Sequence, residues 1–64
     1  MKLTYDKETD AAYIYFEFPL KEGKVKETVE VNDFLILDFD ADHKLLGVEI
    51  LNASKVLHKE TLLA

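Results

Sequence analysis

The chain has 64 residues, with thirteen acids against eight lysines for a net charge of −5, and contains neither arginine nor cysteine. That length supports one domain, 1–64, near the lower limit for independent folding, where about 60% of the unfolded chain's surface is buried; with no disulfide or thiolate-bound metal to reinforce it, the core needs tight packing or a partner subunit. The acidic balance and the lack of any guanidinium to grip phosphate or guanine bidentately argue against nucleic-acid binding, and no apolar run approaches a signal-peptide h-region or the roughly 18 residues of a membrane span, so a cytoplasmic location is expected.

Residues 2–5 alternate apolar and polar, Asp6 to Thr9 supplies turn formers, and residues 11–18 are rich in aromatic and β-branched side chains. The pattern predicts a hairpin with Tyr5 opposite Asp10, Leu3 opposite Ala12 and Met1 opposite Ile14, so that Leu3, Tyr5, Ala12, Ile14 and Phe16 share one side. Pro19 stops the second strand, and Leu20 to Gly23 has the composition of a loose connection. A third strand is expected over 24–31, with Val25, Val29 and Val31 on the core side. A three-residue loop through Phe34 keeps that side intact by pairing Val31 with Leu35 and Val29 with Leu37, and implies a bulge at residue 34.

A fourth strand over 35–39 turns at Asp40 to His43 into a fifth over 44–51, setting Leu37 against Leu46 and Leu35 against Val48. Asn52 or Ser54 then caps one helix over 53–62, with Ala53, Val56, Leu57 and Leu63 turned inward and His58 near its C-terminal end. The expected class is α+β: an antiparallel meander of about five strands (2–5, 11–18, 24–31, 35–39, 44–51) with that helix packed on one sheet face.

One helix of about ten residues cannot cover five strands, and the opposite face carries Tyr13, Tyr15, Ile36 and Leu45. A contiguous aromatic and aliphatic patch on so small a domain points to a partner. Homo-oligomerisation, a dimer or higher, is therefore expected, together with a basic protein partner recognised through Tyr13, Tyr15, Ile36 and the acidic residue Asp10.

The acidic stretch DFDADHKLLGVE, 38–49, offers a competing chemistry: Asp38, Asp40 and Asp42 stand two apart and Glu49 closes a twelve-residue frame, the spacing of a calcium loop. Its flanks alternate as strands, however, which carries Glu49 along a hairpin arm at about 3.3 Å per residue, too far to chelate. Position six also lacks its glycine, holding His43 in its place. A metal-binding hairpin using the acidic turn 38–42 is the alternative reading, and His43 is predicted to have positive φ. Asp6, Glu8 and Asp10 form a second acidic cluster, accounted for by turn chemistry. Ser54 and His58 stand four apart with no acid placed to orient the histidine, so a nucleophilic site is not assembled and no enzyme activity or cofactor is expected.

The motifs YDKETDAAYI (Tyr5 to Ile14), the turn from Asp38 to His43 and GVEILNAS (Gly47 to Ser54) together resemble the small prokaryotic family known as domain of unknown function 2283. The resemblance covers roughly residues 3–54 and implies a small β-sheet domain with a terminal helix and no established activity. Relatives beside small toxin-like proteins imply an antitoxin-like role. Where that family has glycine, this chain has Phe34 and His43.

Overall fold

The computed structural model describes residues 1–63. Period-two alternation produces five strands: β1 Lys2–Asp6, β2 Ala11–Tyr15, β3 Glu27–Glu30, β4 Leu35–Phe39 and β5 Leu45–Leu51. Every pairing is antiparallel, and the order across the sheet is β1-β2-β5-β4-β3. The expected α+β class is observed, but the strands do not follow a simple meander. Residues 16–26 carry the chain from β2 to the far edge, and the β3-β4-β5 run returns to seat β5 against β2. Two neighbours thus flank the strand holding Leu46, Gly47 and Ile50, all buried, while β3, exposed along its whole length and bearing Glu27 and Glu30, takes an edge. Charged residues on an edge strand discourage further pairing.

The second and third strands are shorter than expected. β2 ends at Tyr15 rather than Phe18, because the chain bends through residues 16–19, where the Phe18–Pro19 peptide is cis. β3 begins at Glu27 rather than Lys24, since Lys21 to Lys24 closes a turn around Gly23 at φ 79°.

Registers differ in an instructive way. The β1–β2 pairs are Tyr5 with Ala12 and Leu3 with Ile14, two residues from the expected register, because the turn is Lys7 to Asp10 rather than Asp6 to Thr9. An even shift leaves the paired side chains on their expected face, but Phe16, expected on the core side, lies beyond the end of β2 and is exposed. Val29 pairs with Leu37 and the Val31 amide donates to Leu35, as expected. No bulge forms at Phe34. Asn32 Oδ1 instead accepts the amides of Phe34 and Leu35, both at 2.9 Å, and closes the turn with φ negative at residue 34. The irregularity lies in β4–β5, between Asp38 and Phe39, and together with a turn in which the Asp40 amide donates to the Lys44 carbonyl it sets Leu37 against Val48 and Leu35 against Ile50 rather than Leu46 and Val48. His43 has φ 62°, the predicted left-handed turn.

The single helix expected over 53–62 is two short ones, α1 Ala53–Val56 and α2 Lys59–Leu63. Leu57 between them is extended, at φ −106° and ψ 150°, and His58 precedes α2, its carbonyl accepting the amides of Thr61 and Leu62. The break lets Leu57 and Leu62 both pack on the cluster of Ala12, Ile50 and Ala53, joined by Leu3, Tyr5, Ile14, Leu35 and Val48. Val56 and Leu63, expected inward, are exposed.

Candidate functional site

Cross-strand pairing sets Thr4, Tyr13, Glu49, Ile36 and Glu30 in one row on the helix-free face, and Lys2, Tyr15, Gly47, Asp38 and Thr28 in the next. The structure therefore brings Tyr13, Tyr15 and Ile36 together as half-buried residues of one surface. Tyr13 leans diagonally across Gly47 and donates its hydroxyl to Asp38 Oδ2 at 2.6 Å, while Thr28 Oγ1 donates to Asp38 Oδ1 at 2.8 Å. Burial first, and then the hydrogen bond and charge of Asp38, raise the Tyr13 phenol well above its ordinary value, so it remains a donor. A Cβ at Gly47 would lie within 2.6 Å of Tyr13 Cζ, so the ring's path requires glycine.

The aromatic surface continues from this pair. The Tyr13 and Tyr15 rings are 4.5 Å apart, Phe18 meets Tyr15 edge-on at 5.1 Å, and Lys2 Nζ sits 4.4 Å from the Phe18 ring centre. The exposed His43 Nδ1 lies 3.5 Å from Glu27 Oε1, and among the described residues no lysine forms a salt bridge with Glu49, Asp38 or Glu30.

Asp10 stands apart from this surface. At φ 53° it closes the β1–β2 turn and turns its carboxylate toward the helical side. Tyr5 donates to Oδ1 at 2.7 Å, the Ser54 amide donates to Oδ1 at 3.0 Å, the Ser54 hydroxyl donates to Oδ2 at 2.7 Å, and the Asp10 carbonyl accepts the Ala53 amide. The cap expected from Asn52 or Ser54 thus comes from Asp10; Asn52 itself is left-handed and makes no side-chain cap bond. The Tyr5 hydroxyl foremost, then Ser54, lowers the Asp10 carboxyl below its usual range, and Tyr5 is raised in return. Ser54 Oγ is committed to Asp10 rather than to His58. The sequence signal for this role is the Asp at the close of the turn; its target on another element is not legible there.

The acids of 38–42 do not converge. Asp38 serves Tyr13 and Thr28, whereas Asp40 Oδ1 accepts the amides of Asp42 and Lys44, both at 2.9 Å. The Lys44 amide, then the Asp42 amide and the charges of Lys24 and Lys44, hold the Asp40 carboxyl low. Glu49 lies in the Tyr13–Ile36 row, away from the turn. Among the described residues no group of three or more His, Cys, Asp or Glu is arranged to hold a metal ion.

An antiparallel five-stranded sheet with two short C-terminal helices on one face, and a tyrosine crossing a glycine to an aspartate on the other, defines a small α+β domain. The chain belongs to the family described as protein of unknown function (DUF2283), which matches residues 2–54. It is 44% identical over 59 residues to the uncharacterized protein MJ0789 of Methanocaldococcus jannaschii, covering 91% of this chain and 46% of that protein. It is also 44% identical over 48 residues to the uncharacterized protein YuzE of Bacillus subtilis, covering 73% of this chain and 37% of that protein. The chain thus spans less than half the length of these curated relatives. No solved structure matches it, and no helix among the described residues is long and apolar enough to cross a membrane.

Proposed function

We propose that this chain is a non-enzymatic, self-associating interaction domain whose helix-free face binds a basic polypeptide. The observation that carries the reading is the pairing of an aromatic surface, Tyr13, Tyr15 and Phe18, with carboxylates Asp38, Glu49 and Glu30 that no lysine of the chain neutralises. Aromatic rings supply contact area at low entropic cost, and the uncompensated negative charge, within a net −5, selects a basic partner and speeds its approach. An antitoxin-like role, in which the partner is a small toxin, is one form of this activity. The acidic turn does not favour the metal-binding alternative, because Asp38 and Asp40 are already spent on different donors.

The test is titration calorimetry against polylysine and against any small basic protein encoded beside the gene. Binding that weakens with salt, and by about 2 kcal/mol or more in Tyr15→Ala, supports the reading. Binding unaffected by Tyr15→Ala and Glu49→Lys would remove this face from the interaction.

A further inference from the structure

We infer that two copies of this chain pair along the outer edge of β1, antiparallel about a twofold axis at Thr4, so that their sheets join into one; this rests on the self-association proposed above and assigns it a surface. β1 has β2 on one side and no strand on the other. The Phe16 amide donates to the Leu46 carbonyl, and Phe16 directly follows the β2 residue paired with Gly47. The even residues of β2 therefore turn their backbone groups toward β5, and the odd ones, Tyr13 and Tyr15, toward β1. Thr4–Tyr13 and Lys2–Tyr15 are then the hydrogen-bonded pairs of the first hairpin, and the amides and carbonyls of Leu3 and Tyr5 point off the sheet. No group among the described residues bonds to them.

Such an edge is a template for another strand unless something blunts it. β1 carries no proline, glycine or bulge, and its core-side residues, Leu3 and Tyr5, are uncharged. β3, the other edge, differs: Glu27 shares the core side with Val29, and a charge placed there resists pairing.

Register and charge select the occupant. Setting Leu3 opposite Tyr5 of a second copy satisfies all the outward groups, since each residue exchanges an amide and a carbonyl bond with the other. The same register sets Thr4 opposite Thr4 and, at both ends, Lys2 opposite Asp6, in the non-hydrogen-bonded positions where side chains approach most closely. An axis through Leu3 would set Lys2 opposite Thr4, and one through Tyr5 would set Thr4 opposite Asp6, so neither brings the charges together. Lys2 and Asp6 are exposed and form no salt bridge among the described residues; Asp6 Oδ1 accepts the Glu8 amide, which leaves Oδ2 for the lysine. On the helical side Met1 falls opposite Lys7, which lines an open groove between β1 and α2 with Tyr5, Ser54, Lys59, Leu62 and Leu63. Met1 and Leu63, 89% and 74% exposed, thus gain apolar neighbours across the junction.

The junction also doubles the helix-free face. The row from Tyr13 to Thr4 continues into Thr4 and Tyr13 of the second copy, placing the two Tyr13 positions about 14 Å apart, three strand spacings, on one surface. A basic polypeptide long enough to span them meets two aromatic and acidic surfaces at once, with the gain in affinity that linked contacts bring.

Amide exchange of wild type at high micromolar concentration and after dilution is the test, with sedimentation equilibrium at the same concentrations. The expected result is twice the chain mass and protected Leu3 and Tyr5 amides in the concentrated sample. On dilution that protection is lost, while the Thr4 amide, bonded to β2, keeps its own. Lys2→Glu, which puts acids opposite each other, weakens dimerisation about tenfold or more. Adding Asp6→Lys exchanges the signs and restores it, with circular dichroism confirming the fold of each variant. A monomeric wild type overturns both this edge and self-association. A dimer whose Leu3 and Tyr5 amides exchange freely, or a folded Lys2→Glu variant that dimerises as tightly as wild type, overturns the edge alone.

Discussion

Asp10 and Ser54 are 44 residues apart in sequence and share two hydrogen bonds, at 3.0 Å from the Ser54 amide and 2.7 Å from its hydroxyl. Tyr5 donates to the same carboxylate from β1, so one side chain ties the first hairpin to the start of α1. The orphan amides at a helix start need acceptors, and here the acceptor comes from a distant turn.

Asp10→Asn is expected to lower thermal stability and to reduce helical circular dichroism before the sheet melts, because the loss falls on the start of α1. The Asp10 carboxyl is depressed below its ordinary 3.8, so its contribution is present in full above that value and is lost as pH falls through the lower folded-state value. Acid titration of stability should therefore be shallower in Asp10→Asn than in wild type. Equal acid slopes would show that this carboxylate contributes nothing to acid unfolding.

Gly47→Ala is expected to destabilise by about 1–3 kcal/mol, since the added methyl overlaps the Tyr13 ring. Tyr13→Phe should cost about 1 kcal/mol by leaving Asp38 one donor short. The two changes act on the same ring, so urea melts of the double variant should give less than the sum. Strict additivity would mean that the ring does not lie over Gly47 in solution.

Raised phenols give a signature at high pH. Tyr13 is elevated by burial and by Asp38, and Tyr5 by its bond to Asp10, so their stabilisation is complete below pH 10.0 and is lost as pH rises through the folded-state values. Phenolate absorbance of folded protein should lag behind that of unfolded chain, and Tyr13→Phe should remove the highest step. Superimposable titrations of folded and unfolded protein would contradict the Tyr13–Asp38 geometry.

His43 occupies a left-handed turn at φ 62°, held by an Asp40 carboxylate that accepts two amides. Replacing it with glycine removes the Cβ strain, and the exposed contact with Glu27 that the histidine supplies is worth little. His43→Gly is expected to stabilise by about 0.5–1 kcal/mol in denaturant melts. A lower midpoint would give the Glu27 pair more weight than its exposure allows.

What is readable in the sequence is local. Alternation marks the five strands and which side chains face the core, and turn chemistry locates the left-handed His43. The β1–β2 register escapes by two residues because an even slip preserves the same apolar face, so only the turn geometry at Lys7 to Asp10 distinguishes the two. The helix break at Leu57 follows from the seats that the sheet offers Leu57 and Leu62, which helical periodicity does not register. Parity alone places Tyr13, Tyr15 and Ile36 on one face, whereas the bond from Tyr13 to Asp38 spans 25 residues and two intervening strand pairings. Asp10 stands out in the sequence as an acid at the close of a turn, and only the folded chain reveals that it faces Ser54.

Nuclear magnetic resonance of the isotopically labelled protein, titrated with polylysine and with any small basic protein encoded beside its gene, tests whether the helix-free face is an interaction surface. The expected shift changes centre on Tyr13, Tyr15, Phe18, Ile36 and Glu49 and are attenuated by salt. Changes confined to the helical side, or none at saturating concentrations of either probe, would contradict an interaction surface on the helix-free face.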